Sequence, residues 1–268
     1  MTHLKNKTLQ KGQALLIVVL IMVISLTVGL SIASKTITNL RTSTEEANSA
    51  QALSAAETGI AQVIQSGGTA ATGSFPSNNT SFNTSAATIS GALFLVNAGN
   101  VIPQDEGADV WLVPHNTSGS PDFSTPWTGS LTIYWGDGSG DCNNAALEVI
   151  TITGTQANPV SNRAAYDPCS ARSLVNKFTF VAQSLNTVSG KIFYYTATIS
   201  VTNGLLMRIV PFYTNTIMAV GGTSDLPSQG SIISSTGQAG NVTRKINAVK
   251  LYSSLPSEFF TYGLFVPK

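Results

Sequence analysis

Lys11-Gly12 leads straight into an apolar run over residues 14–33, and no small-residue cleavage site follows that run. A secretory signal ends in such a site, so the segment reads as a retained helix rather than a discarded leader. Twenty helical residues rise about 30 Å, the thickness of a bilayer's hydrocarbon core. The segment is therefore long enough to cross a membrane. Lys5, Lys7 and Lys11 precede it while Lys35 and Arg41 follow it, a basic excess that predicts a cytoplasmic N-terminus. Ser25, Thr27, Gly29 and Ser31 dilute its second half, which suits a helix that also packs against other protein helices. No proline occurs from Gln13 to Gln65, so one helix of about 80 Å is predicted over residues 13–66, with 13–34 as its membrane part. Beyond the membrane part, Ile37, Leu40, Ala47, Ala50, Leu53, Ala56, Ile60 and Ile64 recur mostly at three or four and predict one packing face. Gly59 interrupts that stretch and predicts local fraying.

Two motifs in this region carry a resemblance. Residues 11–18, Lys-Gly-Gln-Ala-Leu-Leu-Ile-Val, resemble the class III leader of type IV prepilins, and residues 52–60 are similar to the Ala-Ala-Glu segment of PilX-like minor pilins. The resemblance covers roughly the first sixty residues. It implies a pilin-like α+β fold, with the N-terminal helix packed on a C-terminal antiparallel β domain. It also implies processing between Gly12 and Gln13 by a prepilin peptidase, so that residues 1–12 form a cytoplasmic leader. The implied partners are membrane lipid before assembly, then other pilin subunits and the inner-membrane assembly platform. The implied location is the cytoplasmic membrane first and the cell surface in a filament afterwards. Ile17 stands where most major pilins carry a glutamate, five residues after the cut, which points to a low-copy subunit near the filament tip. Two alternatives stay open: a pseudopilin of a type II secretion-like machine, and a signal-anchored adhesion protein that never polymerises.

Composition narrows the chemistry. The 268 residues are 43% hydrophobic but only 10% charged, so Ser, Thr, Asn and Gly carry the polarity, as on exported proteins. Removing Lys5, Lys7 and Lys11 leaves eleven basic against thirteen acidic residues, a formal charge of −2, which argues against a general nucleic-acid binder. Cys142 and Cys169 both fall in the exported part, where thiols oxidise, and a disulfide is expected between them; the alternative is two buried free thiols. His3 and His115 are the two histidines, and the sequence holds no Gly-x-Ser-x-Gly elbow, P-loop or zinc-ligand cluster. No enzyme, cofactor or catalytic residue is predicted. Asp137 and Asp141, four apart in a glycine-rich loop, are a weak pair of calcium candidates, more readily read as a solvated turn leading into Cys142.

Residues 67–128 read as Ser/Thr/Asn/Gly-rich loops and connections, and 129–268 as the antiparallel domain. Strands are predicted at 131–135, 147–153, 178–182, 192–201, 205–213, 216–220, 242–251 and 262–266. Asn203-Gly204 is the strongest hairpin signal and predicts pairing of its two flanking strands. Pro211 marks a sheet edge or a strand end. Arg208 is placed by alternation on the polar face of its strand, with a buried ion pair as the alternative. Glu57 is either a helix-surface residue or an intersubunit or sheet contact. Most of Trp111, Trp127, Trp135, Tyr194, Tyr195, Phe259 and Phe260 are assigned to the core, with a carbohydrate platform as the alternative, and His115 to a solvated loop.

Overall fold

The computed structural model describes residues 11–116, 118–138 and 140–254, with side chains from residue 15 onward. The predicted strand at 262–266, Phe259 and Phe260, and the leader residues 1–10 lie outside the described residues. The chain is α+β: a long N-terminal helix packed on a β domain whose strands pair antiparallel except at one short contact.

Helix α1 covers Lys11–Ser66 and stops where Gly67 takes a positive φ of 65°, a geometry that suits glycine and ends a helix. Two hairpins follow from opposite ends of the sequence. Strands β1 (Ala70–Phe75) and β2 (Thr80–Thr88) pair with each other, as do β13 (Gly230–Ala239) and β14 (Val242–Leu251), and β2 pairs with β13. The result is a small sheet of order β1-β2-β13-β14, with α1 lying across one face of it. Residues 67–128 are predicted as loops and connections, and this is corrected: residues 70–88 alone hold the whole of β1 and β2. Small polar residues hide strand character, yet Thr80, Phe82 and Thr84 alternate inward with clear period two.

Between these hairpins the chain forms the larger sheet. Its strands are β3 (Gly91–Leu95), β4 (Ala108–Trp111), β5 (Trp127–Trp135), β6 (Ala146–Gly154), β7 (Pro159–Asp167), β8 (Thr179–Phe180), β11 (Tyr195–Phe212) and β12 (Met218–Leu226), in the order β3-β12-β5-β11-β6-β7-β8, with β4 also on β11. The short helix α2 (Ser170–Asn176) sits between β7 and β8, and β9 (Asn186–Val188) and β10 (Lys191–Phe193) form a separate ribbon.

The hairpin predicted at Asn203-Gly204 is absent. Strand β11 runs unbroken for 18 residues, and its register slips against both β5 and β6 at this point. Asn203 does take a positive φ of 51°, but the geometry serves a bulge rather than a reversal. Its N–H donates to Thr128 Oγ1 at 3.0 Å. Before the bulge β11 pairs with β5; beyond it, residues 206–209 lie between β4 and β6. Pro211 lies one residue from the end of β11, in keeping with a strand end.

The core lies in this larger sheet. Leu131, Ile133 and Trp135 of β5, Leu147 and Val149 of β6, Met207 and Ile209 of β11, and Met218 and Val220 of β12 form one buried cluster. Trp135 is fully buried, and its indole N–H donates to the Ala145 carbonyl at 2.9 Å, so its one polar atom is satisfied. Trp111 and Trp127 are buried too.

Candidate functional site

Two surfaces of α1 matter: a free stretch and a docked stretch. Every described side chain from residue 15 to 47 is exposed. Over residues 15–32 the large apolar side chains stand 52–71% exposed, at consecutive positions around the whole barrel. A helix apolar on all sides is at home in lipid or inside a bundle, not in water. This one is long and apolar enough to cross a membrane. Four of its threonines are partnered within the helix: Thr27 donates to Ile24 O at 2.8 Å, and Thr36, Thr38 and Thr44 donate to Ile32 O, Ser34 O and Leu40 O, each at 2.9 Å. Such back-bonding lets threonine enter an apolar setting without stranding a donor. Arg41 and Glu45 pair one turn apart at 3.1 Å. Gly12 and Gln13 fall within the helical span.

Docking begins at Asn48. The residues that face the small sheet are Ala52, Ala55, Ala56, Gly59 and Val63, all buried, flanked by half-buried Asn48 and Ile60. This differs from the predicted face: Ala56 and Ile60 belong to it, but Ala47 and Ala50 are exposed, and Leu53 and Ile64 stand 43% and 44% exposed. The helix has turned its small side chains to the sheet and left its larger ones outside. The reason is proximity. A Cβ on Gly59 would collide with Thr84 Oγ1 and come within 2.7 Å of Phe82 and of Ser235 Oγ, and one on Gly237 of β13 would run into the Ala52 carbonyl. Thr84 and Ser235 satisfy each other beneath the helix at 2.7 Å. Gly59 is therefore a point of close approach, not the point of fraying that its propensity predicts. Thr84, Ser235 and Gly237 carry no hydrophobic signal, so a search for apolar periodicity passes over them; the small residues 52, 55, 56, 59 and 63, spaced at three and four, were the legible trace. Glu57 is exposed, away from the sheet, and Arg244 of β14 reaches Ser49 Oγ at 2.8 Å.

At a second place the chain is stapled. Cys142 and Cys169 form a disulfide with Cα atoms 4.5 Å apart, tying the loop before β6 to the N-terminus of α2. Asp167, fully buried, accepts from Arg172 Nε and Nη2 at 2.8 Å, from Asn176 at 2.7 Å and from the Cys169 N–H at 2.8 Å. A buried carboxylate held by this many donors is compensated for its lost hydration. Arg172 also donates to Asn144 O at 2.8 Å and stacks over the Tyr213 ring at 4.2 Å.

The two calcium candidates stand in different surroundings. Asp137 is exposed, while Asp141 Oδ1 accepts from the buried Tyr195 hydroxyl at 2.6 Å. Burial first, then the Asp141 bond and charge, push the Tyr195 phenol well above the ordinary tyrosine range. Among the described residues no group of three His, Cys, Asp or Glu is placed to hold a metal ion. His115 is not a solvated loop residue: its ring stacks on Tyr252 at 3.6 Å and meets Trp111 edge-on at 4.7 Å, and burial lowers its pKa. Arg208 is not on a polar face either. It is buried and pairs with Asp109 at 3.2 Å, the alternative that the sequence left open. No family model, curated protein or solved structure matches this chain.

Proposed function

We propose that this protein is a minor-pilin-like subunit of a type IV pilus or a related filament, structural rather than enzymatic. The observation that supports this reading is the division of α1: about 50 Å of exposed helix over residues 15–47, apolar all round in its first half, then a docked half that fixes it to the β domain. In a bilayer the free stretch spans the hydrocarbon; in a bundle of such helices it is buried again, so transfer need not expose it to water. The internal bonds of Thr27, Thr36 and Thr38 travel with it unchanged. Prepilin peptidase would cut between Gly12 and Gln13, and the assembly platform and other pilins would receive the mature helix. Ile17 offers no carboxylate to the amine of a subunit above, which suits a place near the tip.

Mass spectrometry of the mature N-terminus is the test. Co-expression with a prepilin peptidase should give a chain that begins at Gln13, and Gly12→Leu should remain uncut. Equal processing of the two would overturn the class III reading, and an uncut wild-type chain would favour a surface protein anchored without polymerising.

A further inference from the structure

The two cysteines stand in unequal places. Cys142 is exposed on the loop that precedes β6, whereas Cys169 is only 3% exposed at the entry to α2. The pairing of β6 with β7 brings their segments together as far as Leu147 opposite Tyr166, which leaves a short stretch on each side still to be placed. Each stretch is fixed within itself. The buried Asn144 donates from its amide to Gly138 O at 2.9 Å and to Gly140 O at 2.8 Å, and the Tyr195 hydroxyl holds Asp141. On the other side Asp167 accepts from the Cys169 N–H, and the Cys169 carbonyl accepts from the Ser173 N–H at 2.9 Å.

Besides the disulfide, one guanidinium joins the two stretches. Arg172 reaches Asp167 through Nε and Nη2, and from the same fork it donates to Asn144 O at 2.8 Å and to Cys142 O at 3.3 Å. Among the described residues no other side chain hydrogen-bonds to both stretches. The fork is itself held, by the fully buried Asp167 and by the Tyr213 ring 4.2 Å from its carbon, and a rigid planar fork can meet acceptors on two segments at once. None of these bonds uses a sulfur, so all of them can form before the disulfide exists. We infer that Arg172 is a positioning residue for oxidation of this pair: it holds the exposed Cys142 against the buried Cys169, so that Cys142 attacks an incoming disulfide and Cys169 resolves the mixed disulfide. In the first step the Cys142 thiolate bonds one sulfur of the oxidant, and the other sulfur leaves as a thiolate. In the second the Cys169 thiolate attacks Cys142 Sγ, the Cys142–Cys169 bond forms, and the remaining sulfur of the oxidant leaves. Two cysteine thiols are oxidised, one disulfide is reduced to two thiols, and the two cysteine protons pass to the departing thiolates. Entry is at Cys142 because exchange needs access to the attacking sulfur. This inference does not rest on filament assembly.

The test uses the full-length protein in phosphatidylcholine nanodiscs, reduced with a phosphine, freed of it and oxidised with glutathione disulfide, each step followed by intact mass. The reduced wild type should keep its near-ultraviolet circular dichroism. Cys169→Ser should stop at the mixed disulfide with glutathione attached, and Cys142→Ser should take up glutathione about tenfold more slowly or less readily still. Arg172→Gln should form the mixed disulfide at the wild-type rate but resolve it about tenfold or more slowly, as the loss of a charge-assisted hydrogen bond would. A role confined to stability would instead loosen the site, expose Cys169 and quicken its uptake of glutathione when Cys142→Ser is combined with Arg172→Gln. Should Arg172→Gln not fold, Arg172→Lys, which keeps a charge beside Asp167 but not the fork, should slow the same step by a smaller factor. Loss of the fold on reduction alone, equal glutathione uptake by the two cysteine variants, quickened uptake at Cys169, or wild-type resolution in a folded Arg172 variant would overturn the inference.

Discussion

Leu131, Ile133, Trp135 and Tyr195 in the larger sheet are all fully buried, each worth about 1.5–3 kcal/mol or more in apolar burial. Beneath α1 the small sheet is met instead by Ala52, Ala55, Ala56 and Gly59, over a Thr84–Ser235 hydroxyl pair, where a buried methyl contributes only about 0.8 kcal/mol. The larger sheet is held by bulk and by a disulfide. The seam under the helix is held by closeness, and closeness depends on what is missing from Gly59 and Gly237. One region resists loss of volume, while the other resists gain of it.

That contrast can be broken most directly at Trp135. Trp135→Ala should cost about 3–5 kcal/mol, read as a large drop in the thermal unfolding midpoint of the detergent-solubilised full chain; an unchanged midpoint would mean that the seam, not the core, carries the fold. Replacing both Cys142 and Cys169 by serine should cost about 2–4 kcal/mol, and thiol labelling of the denatured, unreduced wild-type protein should find neither cysteine. Gly59→Val should cost about 1–3 kcal/mol by overpacking, with proteolysis newly admitted between residues 48 and 66. If Gly59→Val behaves as wild type, the close approach is not what holds the helix.

A smaller effect lies at His115. Burial holds its folded pKa below the ordinary histidine value, so the neutral form is favoured in the folded state. Its contribution is fully present above about pH 6.5 and is lost as pH falls through the lower folded value. Comparing the melting temperature of the wild type with that of His115→Phe from pH 7.5 to 5 isolates it, and parallel curves would exclude the effect. Smallest of all, Leu53→Ser and Ile64→Ser should each shift the fold's stability by no more than about 0.5 kcal/mol, because the larger side chains of α1 face away from the sheet.

The same contrast explains what could be read in advance. Helix α1 was legible because an apolar run and a proline-free stretch from Gln13 to Gln65 leave little else for the chain to do, and the disulfide of Cys142 and Cys169 followed from reading both as lying in an exported part. The larger sheet showed through its β-branched and aromatic strands, and in the small sheet β14 was found at its full span. The seam did not, since apolar periodicity rewards Leu53 and Ile64 and gives no weight to Gly59, Thr84 or Ser235. Strand β7 was missed for a related reason: Ser161, Asn162, Arg163 and Ala164 look like a loop until β6 is beside them, with Arg163 bonding Glu148 at 2.9 Å. Burial raises the Glu148 pKa despite that arginine, a cost visible only once β6 is known to be central. At Asn203-Gly204 local chemistry was read correctly and its use was not, because a positive φ serves a bulge as well as a turn.

The small sheet joins β1 and β2, made first, to β13 and β14, made last, through a pairing of residues 80–88 with 231–239. Contacts so far apart in sequence close late, after the loop entropy between them has been overcome. The platform for α1 thus stays unfinished until β13 and β14 are in place and the larger sheet has brought the two hairpins together. A chain cut short before residue 230 would present the helix with half a seat, so docking of the helix reports that both hairpins are in place.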